Sequence, residues 1–138
     1  MFESLDKLWG PHTCDRFASK YNRKCDIFNS KYWCKESSGV DAFKQVWSFD
    51  NNWFVPPPTL IVQTIKKAEK EKASGTLVLP EWKSAPFWPF ICDRYGFKQF
   101  IKSYKFFTGN VTHRGRGNNG IFGRPNRNLR FLAIRIEF

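Results

Sequence analysis

The sequence lacks the features that define secreted and membrane proteins. No segment approaches the roughly 20 apolar residues of a membrane span, because prolines, asparagines and charged residues interrupt the apolar runs. The first nine residues hold two acids and one lysine, instead of the basic region and apolar run of a secretory signal. We therefore expect an intracellular location, the nucleus included, with no signal peptide and no membrane partner.

Cysteine is scarce and is spaced in a way that disfavours a metal site. The chain has four cysteines with no Cys-x-x-Cys pair, and its two histidines are isolated. Structural zinc sites usually show close ligand pairs, and disulfides are rare in proteins that are not exported. We predict no metal and, with zinc as the less favoured alternative, reduced and partly buried thiols at Cys14, Cys25, Cys34 and Cys92.

Acidic residues are few, above all near the C-terminus. The 138 residues carry 23 Lys and Arg against 12 Asp and Glu, a net charge of +11. Residues 1–53 hold 8 basic and 7 acidic residues (+1), residues 54–103 hold 8 and 4 (+4), and residues 104–138 hold 7 and 1 (+6). The 15 Phe, 6 Trp and 4 Tyr exclude a disordered polycation. We predict a single folded basic domain over residues 1–138, whose basic C-terminal part, residues 104–138, binds a polyanion.

The apolar pattern predicts helices and strands in alternation. Residues 2–9 have helical spacing, and Gly10 is expected to close that helix with a left-handed cap. From Thr59, expected as an N-cap, a helix with one apolar face is predicted to end at Gly75. The apolar run at residues 76–79 is typical of a buried strand, and the alternation at residues 134–138 is typical of an edge or antiparallel strand.

These elements predict an α/β fold with parallel strands. One strand is expected to end at Asp15, where a turn and the start of a helix follow, and another strand is expected at residues 53–55. In a right-handed crossover the loops that follow parallel strands share one edge of the sheet. The prolines at 56–58 and the tryptophans Trp53, Trp82 and Trp88 could stack a flat base there. The alternative, given equal weight, is that Asp15 caps a helix and the tryptophans lie in the core.

Several blocks, taken in this order, resemble one family. The blocks are residues 15–22 (DRFASKYN), 40–43 (VDAF) with Trp47, 55–58 (VPPP), 75–80 (GTLVLP) with Trp82, and 84–89 (SAPFWP). Over about residues 9–138 the chain resembles the Dam-like adenine methyltransferase domain of DIRS-like tyrosine-recombinase retroelements and, more distantly, phage-type DNA N6-adenine methyltransferases. The resemblance implies a Rossmann-like, class I methyltransferase-like domain with a mixed, partly parallel sheet. It also implies the reverse transcriptase and recombinase parts of an element polyprotein as partners.

The resemblance assigns roles to two sets of residues. It implies that S-adenosylmethionine is held by Asp15, Phe17, Ala18, Ser19 and Asp41. It implies that the target amine is bound by the motif Val55, Pro56, Pro57 and Pro58, which in the family is normally Asn or Asp, Pro, Pro, then Tyr or Phe.

This sequence departs from the family at the positions that matter for catalysis. Val55 cannot accept the hydrogen bond of an adenine amine, and Pro58 replaces the aromatic ring that stacks on the flipped base. Ala18 and Ser19 stand where glycines are preferred, and Val46 stands where related retroelement sequences tend to have Asp. Loss of one oriented acceptor costs about 10²–10³ in rate. We therefore predict degraded or absent catalysis.

The basic C-terminal part predicts a nucleic-acid partner, either DNA or RNA. Arginine forks bind phosphate bidentately, and the intervening glycines let the backbone approach it. The candidate arginines are Arg114, Arg116, Arg124, Arg127 and Arg130. A solvated loop without a partner is the alternative for this segment.

The predicted function is a retroelement-derived nucleic-acid-binding domain without S-adenosylmethionine. The first alternative is an active S-adenosylmethionine-dependent DNA N6-adenine methyltransferase with an atypical Val-Pro-Pro-Pro motif. A lesser alternative is a metal-dependent nuclease that uses Asp15, Asp26, Asp41 and Asp50.

Overall fold

The computed structural model of the protein describes residues 1–18, 22–31, 35–108 and 130–138. The predictions made for Ser19, Cys34, Arg114, Arg116, Arg124 and Arg127 lie outside these residues. No helix in the described ranges has the length and apolar character needed to cross a membrane.

The described chain forms two α-helices, nine strands and three short 3₁₀ turns. The helices are α1 (Phe2–Trp9) and α2 (Ile61–Glu71), and the 3₁₀ turns are Ala42–Lys44, Pro58–Leu60 and Trp88–Phe90. The strands are β1 (Cys14–Asp15), β2 (Ile27–Ser30), β3 (Gly39–Val40), β4 (Asn51–Phe54), β5 (Ser74–Pro80), β6 (Cys92–Asp93), β7 (Gly96–Phe97), β8 (Ile101–Thr108) and β9 (Arg130–Glu137).

Seven of these strands form one mixed sheet in the order β3-β2-β1-β4-β5-β9-β8. The first five are parallel, whereas β9 runs antiparallel to both β5 and β8. The order 3-2-1-4-5 is that of doubly wound nucleotide-binding sheets. The predicted α/β, Rossmann-like fold with a mixed, partly parallel sheet is therefore confirmed. The carboxyl ends of β1, β4 and β5, at Asp15, Phe54 and Pro80, lie along what we call the carboxyl edge.

The crossover from β4 through α2 to β5 was predicted, but its ends differ from the prediction. Thr59 does not cap the helix, because it lies inside the 3₁₀ turn that precedes α2. Gly75 does not end the helix either, since α2 stops at Lys72, which adopts a left-handed backbone (φ 54°). Gly75 belongs to β5, where a Cβ atom would lie 2.6 Å from the carbonyl oxygen of Asn52. The glycine therefore permits close strand pairing instead of terminating a helix.

Helix α1 has the predicted extent but is held differently from the expectation. Gly10 is extended (φ −94°, ψ −165°), so the predicted left-handed cap is wrong. The side chain of His12 anchors the helix instead: its Nδ1 lies 2.7 Å from Oδ1 of Asp6, and its Nε2 lies 2.6 Å from Oγ1 of Thr76 in β5. A buried imidazole thus joins α1 to the centre of the sheet.

Two apolar layers cover the sheet, one on each face. The α2 face packs Trp47, Phe54, Ile65 and Leu77 with residues of β9. The opposite face packs Leu5 of α1 against Trp53, Val78, Cys25 and Ala133. Trp53 is therefore a core residue, as the alternative interpretation of the tryptophans had it.

The C-terminal strand was predicted as an edge or antiparallel strand. Strand β9 is antiparallel but interior, because β8 pairs along its outer side from Ile101 to Thr108. This cover explains why Leu132 and Ile134 are buried. The edge strands of the sheet are β8 on this side and β3 on the other.

Arg16, which directly follows β1, is a buried side chain that makes four hydrogen bonds to described residues. It is 4% exposed, and its guanidinium donates to Oδ1 of Asn52 (2.7 Å) and Oδ1 of Asn29 (2.8 Å). It also donates to the carbonyl oxygen of Val46 (3.0 Å) and to Oδ2 of Asp50 (2.8 Å). One fork thus joins β1 to β2, to β4 and to the loop that precedes β4.

We expect Arg16→Lys to destabilise the fold strongly. A lysine ammonium cannot reproduce the fork, so buried amide oxygens and a carboxylate lose their donors, at a cost of about 3–5 kcal/mol. Urea unfolding followed by tryptophan fluorescence measures the change. Arg94→Lys, at an exposed hairpin tip, is the matched control and is expected to stay within about 0.5 kcal/mol of the parent. Equal unfolding midpoints for the two variants would contradict this role for Arg16.

Candidate functional site

The loops that follow β1 and β4 lie side by side at the carboxyl edge. Asp15 pairs with Trp53 in the sheet, and the backbone N–H of Arg16 donates to the carbonyl oxygen of Trp53 (3.0 Å). The sequence-predicted cofactor loop and the Val-Pro-Pro-Pro segment are therefore neighbours. The predicted helix start after Asp15 is wrong for the described residues 16–18, because Ala18 donates its N–H to Asn29 of β2 (3.0 Å) instead of entering a helix.

Asp15 is a buried carboxyl group with one satisfied oxygen. It is 3% exposed, and its Oδ2 accepts a hydrogen bond from the backbone N–H of Lys24 (2.9 Å). Its Oδ1 has no hydrogen-bond partner among the residues that the structure describes. Burial raises the pKa of Asp15 to about 6, although the backbone N–H groups of Lys24 and Phe17 act in the opposite direction. The group can therefore accept a hydrogen bond from a ligand or carry a proton near neutral pH.

We expect Asp15→Asn to stabilise the protein at neutral pH. The folded pKa of Asp15, about 6, lies above the ordinary value of 3.8, so ionisation disfavours the folded state. The contribution of this carboxyl to stability is complete below pH 3.8 and is lost as the pH rises through 6. Asparagine removes that loss, a gain of up to about 3 kcal/mol near pH 7.5 that shrinks toward pH 4.

Urea unfolding across this pH range measures the gain, and Asp26→Asn is the control. Asp26 is exposed, so its variant is expected to keep the stability of the parent. A loss of stability in Asp15→Asn at every pH would indicate an ionised and fully paired carboxylate, and would contradict the assignment.

Phe17 and Ala18, predicted to contact a cofactor, are used in packing. The Phe17 ring lies edge-on to Phe43 (5.6 Å between centroids) and 6.5 Å from the ring of Trp47. Ala18 is tied to β2 through the hydrogen bond to Asn29. The loop that follows β1 therefore directs its aromatic side chain into the α2-face core.

Asp41 follows β3 on the same edge of the sheet but acts locally. Its Oδ1 accepts a hydrogen bond from the N–H of Phe43 (3.0 Å), which caps the 3₁₀ turn Ala42–Lys44. β2 lies between β3 and β1, so Asp41 and Asp15 are separated by two strand spacings, about 10 Å. The structure places both predicted acids at the carboxyl edge without bringing them together.

The Val-Pro-Pro-Pro segment forms an apolar part of the edge. Val55 is half-buried and packs against the clusters around Trp53 and Phe131. Pro56 is buried, Pro57 is exposed, and Pro58 opens the 3₁₀ turn before α2. Trp82 is half-buried and packs against the same Phe131 cluster. The side chain at position 55 thus contributes apolar contacts and no hydrogen-bond acceptor.

The four acids of the nuclease alternative do separate jobs. Asp50 is paired with Arg16, Asp41 caps a turn, Asp26 is exposed and Asp15 is buried. Within the described ranges, no group of three or more His, Cys, Asp or Glu is arranged to hold a metal ion. The described residues therefore give the nuclease alternative no support.

The described cysteines are unpaired thiols. Cys14 and Cys25 are buried, and burial raises their pKa values to about 11 and about 12 respectively. Cys92 is half-buried and also free. For these three residues, the predicted reduced and partly buried thiols agree with the structure.

A set of aromatic side chains on β8, which was not predicted from the sequence, forms a second candidate surface. On β8, the rings of Tyr104 and Phe106 point to the α2 face, with Phe97 of β7 beyond Tyr104 and Arg130 of β9 beyond Phe106. We call these four side chains the outer-strand row. Its sequence signal, aromatic residues interleaved with lysines over residues 97–107, is visible but does not reveal which rings share a face.

Arg130 is the one predicted phosphate-binding arginine that lies in the described residues. It pairs with Thr108 across β8 and β9 at the carboxyl edge. Its guanidinium makes two hydrogen bonds to the carboxylate of Glu81 (2.9 and 2.6 Å) and lies 4.0 Å from the ring centroid of Phe106.

No protein-family model matches the chain, and no curated protein matches it. The resemblance to the Dam-like domain of retroelements therefore stays a prediction from the quoted blocks.

Proposed function

We propose that the protein is a nucleic-acid-binding domain of retroelement origin that resembles a DNA adenine methyltransferase and has lost catalysis. The observation that carries the proposal is the apolar packing of Val55 at the carboxyl edge. Methylation of an exocyclic amine requires an acceptor that orients the nitrogen lone pair. A valine side chain in contact with apolar clusters provides no such acceptor.

The distribution of charge supports the binding half of the proposal. Residues 104–138 carry 7 basic residues and 1 acidic residue, and the described ends of this part, Thr108 and Arg130, lie at the carboxyl edge. Lys102 and Lys105 are exposed on the adjoining strand β8. Phosphate contacts made by lysine and arginine supply most of the affinity of non-specific nucleic-acid binding.

We expect the protein to bind DNA and RNA with an affinity that falls steeply as salt increases. Fluorescence anisotropy at several salt concentrations gives the slope of log K against log salt. The double variant Lys102→Glu, Lys105→Glu is expected to reduce that slope by about 1, because the two lysines lie on opposite faces of β8 and a strand bound to one face releases the counterion of one lysine.

The control for this titration carries the same charge change at the other end of the sheet. Lys35 and Lys44 flank β3 and are exposed, so Lys35→Glu, Lys44→Glu is expected to leave the slope almost unchanged. Absence of binding, or binding that does not depend on salt, would refute the proposed function.

An active methyltransferase is the second candidate, and the free oxygen of Asp15 favours it. An acceptor at the end of a first parallel strand is suited to a ribose hydroxyl or an amino group of S-adenosylmethionine. The residues fit this cofactor only in part, because Phe17 turns into the core and Ala18 is bonded to β2. When bound, the cofactor would supply the methyl group, and Asp15 would orient the cofactor by accepting a hydrogen bond from it.

Calorimetry with S-adenosylmethionine separates the two candidates. Under the proposed function we expect no binding heat at about millimolar cofactor, because one acceptor without a glycine loop does not hold the ligand. Binding that Asp15→Asn weakens at least about tenfold would favour the methyltransferase. Asp26→Asn is again the control, because the Asp26 side chain is exposed and Asp26 directly precedes β2, whereas Asp15 ends β1.

A further inference from the structure

Strand β8 exposes aromatic rings at the outer margin of the sheet. It is the last strand in the sheet order, and its residues from Lys102 to Lys105 are exposed. Tyr104 is 52% exposed, with its ring centroid 4.7 Å from that of Phe97 and 5.7 Å from that of Phe106. The three rings therefore form a continuous aromatic row that solvent reaches.

Cationic groups lie at both ends of this row. At the carboxyl edge, Glu81 holds the Arg130 guanidinium above the Phe106 ring. At the other end the pairing of β8 shifts between Ile101 and Ser103. Lys102, at that shift, lines a groove of about 540 Å³ whose charged residues are three lysines and two glutamates, Lys66, Lys98, Lys102, Glu69 and Glu137. From Lys102 to Thr108 the strand extends about 20 Å, long enough for a few nucleotides.

The hairpin β6–β7 adds an exposed arginine and tyrosine beside the row. Tyr95 is 83% exposed, and Arg94 donates a hydrogen bond to its hydroxyl (2.8 Å). Phe97, two residues further on, contacts Tyr104. The hairpin tip therefore lies next to the ring row and extends its aromatic and cationic character.

We propose that the outer-strand row binds single-stranded nucleic acid, with a base stacked on the exposed ring of Tyr104 and phosphates near Lys102 and Arg130. The inference rests on the proposed function and specifies its ligand. A base stacks on an aromatic side chain only when its own face is free, which favours a single strand over a duplex. Lysines on an edge strand disfavour pairing with a second copy of the chain, so we assign the surface to the nucleic acid.

The test uses the 138-residue chain and asks two questions: whether single strands bind more tightly than a duplex, and whether that binding needs the ring of Tyr104. The probes are labelled oligothymidine and oligouridine of about 15 nucleotides and a DNA duplex of the same length. We expect both single strands to bind more tightly than the duplex at equal salt. We expect Tyr104→Ala to weaken single-strand binding at least about fivefold, and Tyr104→Phe, which keeps the ring, to restore it.

Phe49→Ala is the matched control for the loss of an exposed ring. Phe49 is 91% exposed in the loop before β4, away from β8, and its removal is expected to leave the affinity unchanged. Because Tyr104 is exposed, its variants are expected to fold as the parent does. Urea unfolding checks that the compared proteins have the same folded fraction.

Three outcomes would overturn the inference while leaving the proposed function intact. They are preferred binding of the duplex, equal affinities for Tyr104→Ala and Phe49→Ala, and a change of oligomeric state in Tyr104→Ala that marks the row as a contact between copies. Failure of every probe to bind would instead refute the proposed function itself.

Discussion

The guanidinium of Arg16 is the interaction on which the parallel half of the sheet depends. Strands β1, β2 and β3 are only two to four residues long, so their backbone hydrogen bonds alone hold little. The Arg16 fork adds buried polar links to Asn29 and Asn52, and Asp50 supplies the opposite charge. Because Asp15, Phe17 and Ala18 flank this arginine, the same network positions the carboxyl edge.

The carboxyl edge and the outer strand differ in chemistry. The edge combines one buried carboxyl group with apolar contacts at Val55 and Trp82. The outer strand combines accessible rings with lysine and arginine. An accessible aromatic and basic surface can bind a polyanion without the oriented acceptors that methyl transfer requires.

Predictions from the sequence succeeded where one local signal was strong. The apolar run in β5 and the strand that ends at Asp15 were recognised, because buried parallel strands have continuous apolar residues and α/β loops follow their ends. The signals at Gly10, Thr59 and Gly75 misled for different reasons. Gly10 ends α1 in an extended conformation, Thr59 lies inside a 3₁₀ turn, and Gly75 permits close strand pairing. The outer-strand row was missed because its rings meet only when β8 pairs with β9 and β7 packs beside it.

The sequence by itself determined the excess of basic charge, the order of strands and loops that creates a shared edge, and the absence of an acceptor at Val55, because these follow from residue identity and spacing. Only the tertiary structure decided that Asp15 is buried with a raised pKa, that Phe17 faces the core and that Tyr104 and Phe106 share an exposed face with Arg130. The reason is physical: burial, pKa and ring stacking depend on neighbours that are distant in the chain, and strand register selects those neighbours.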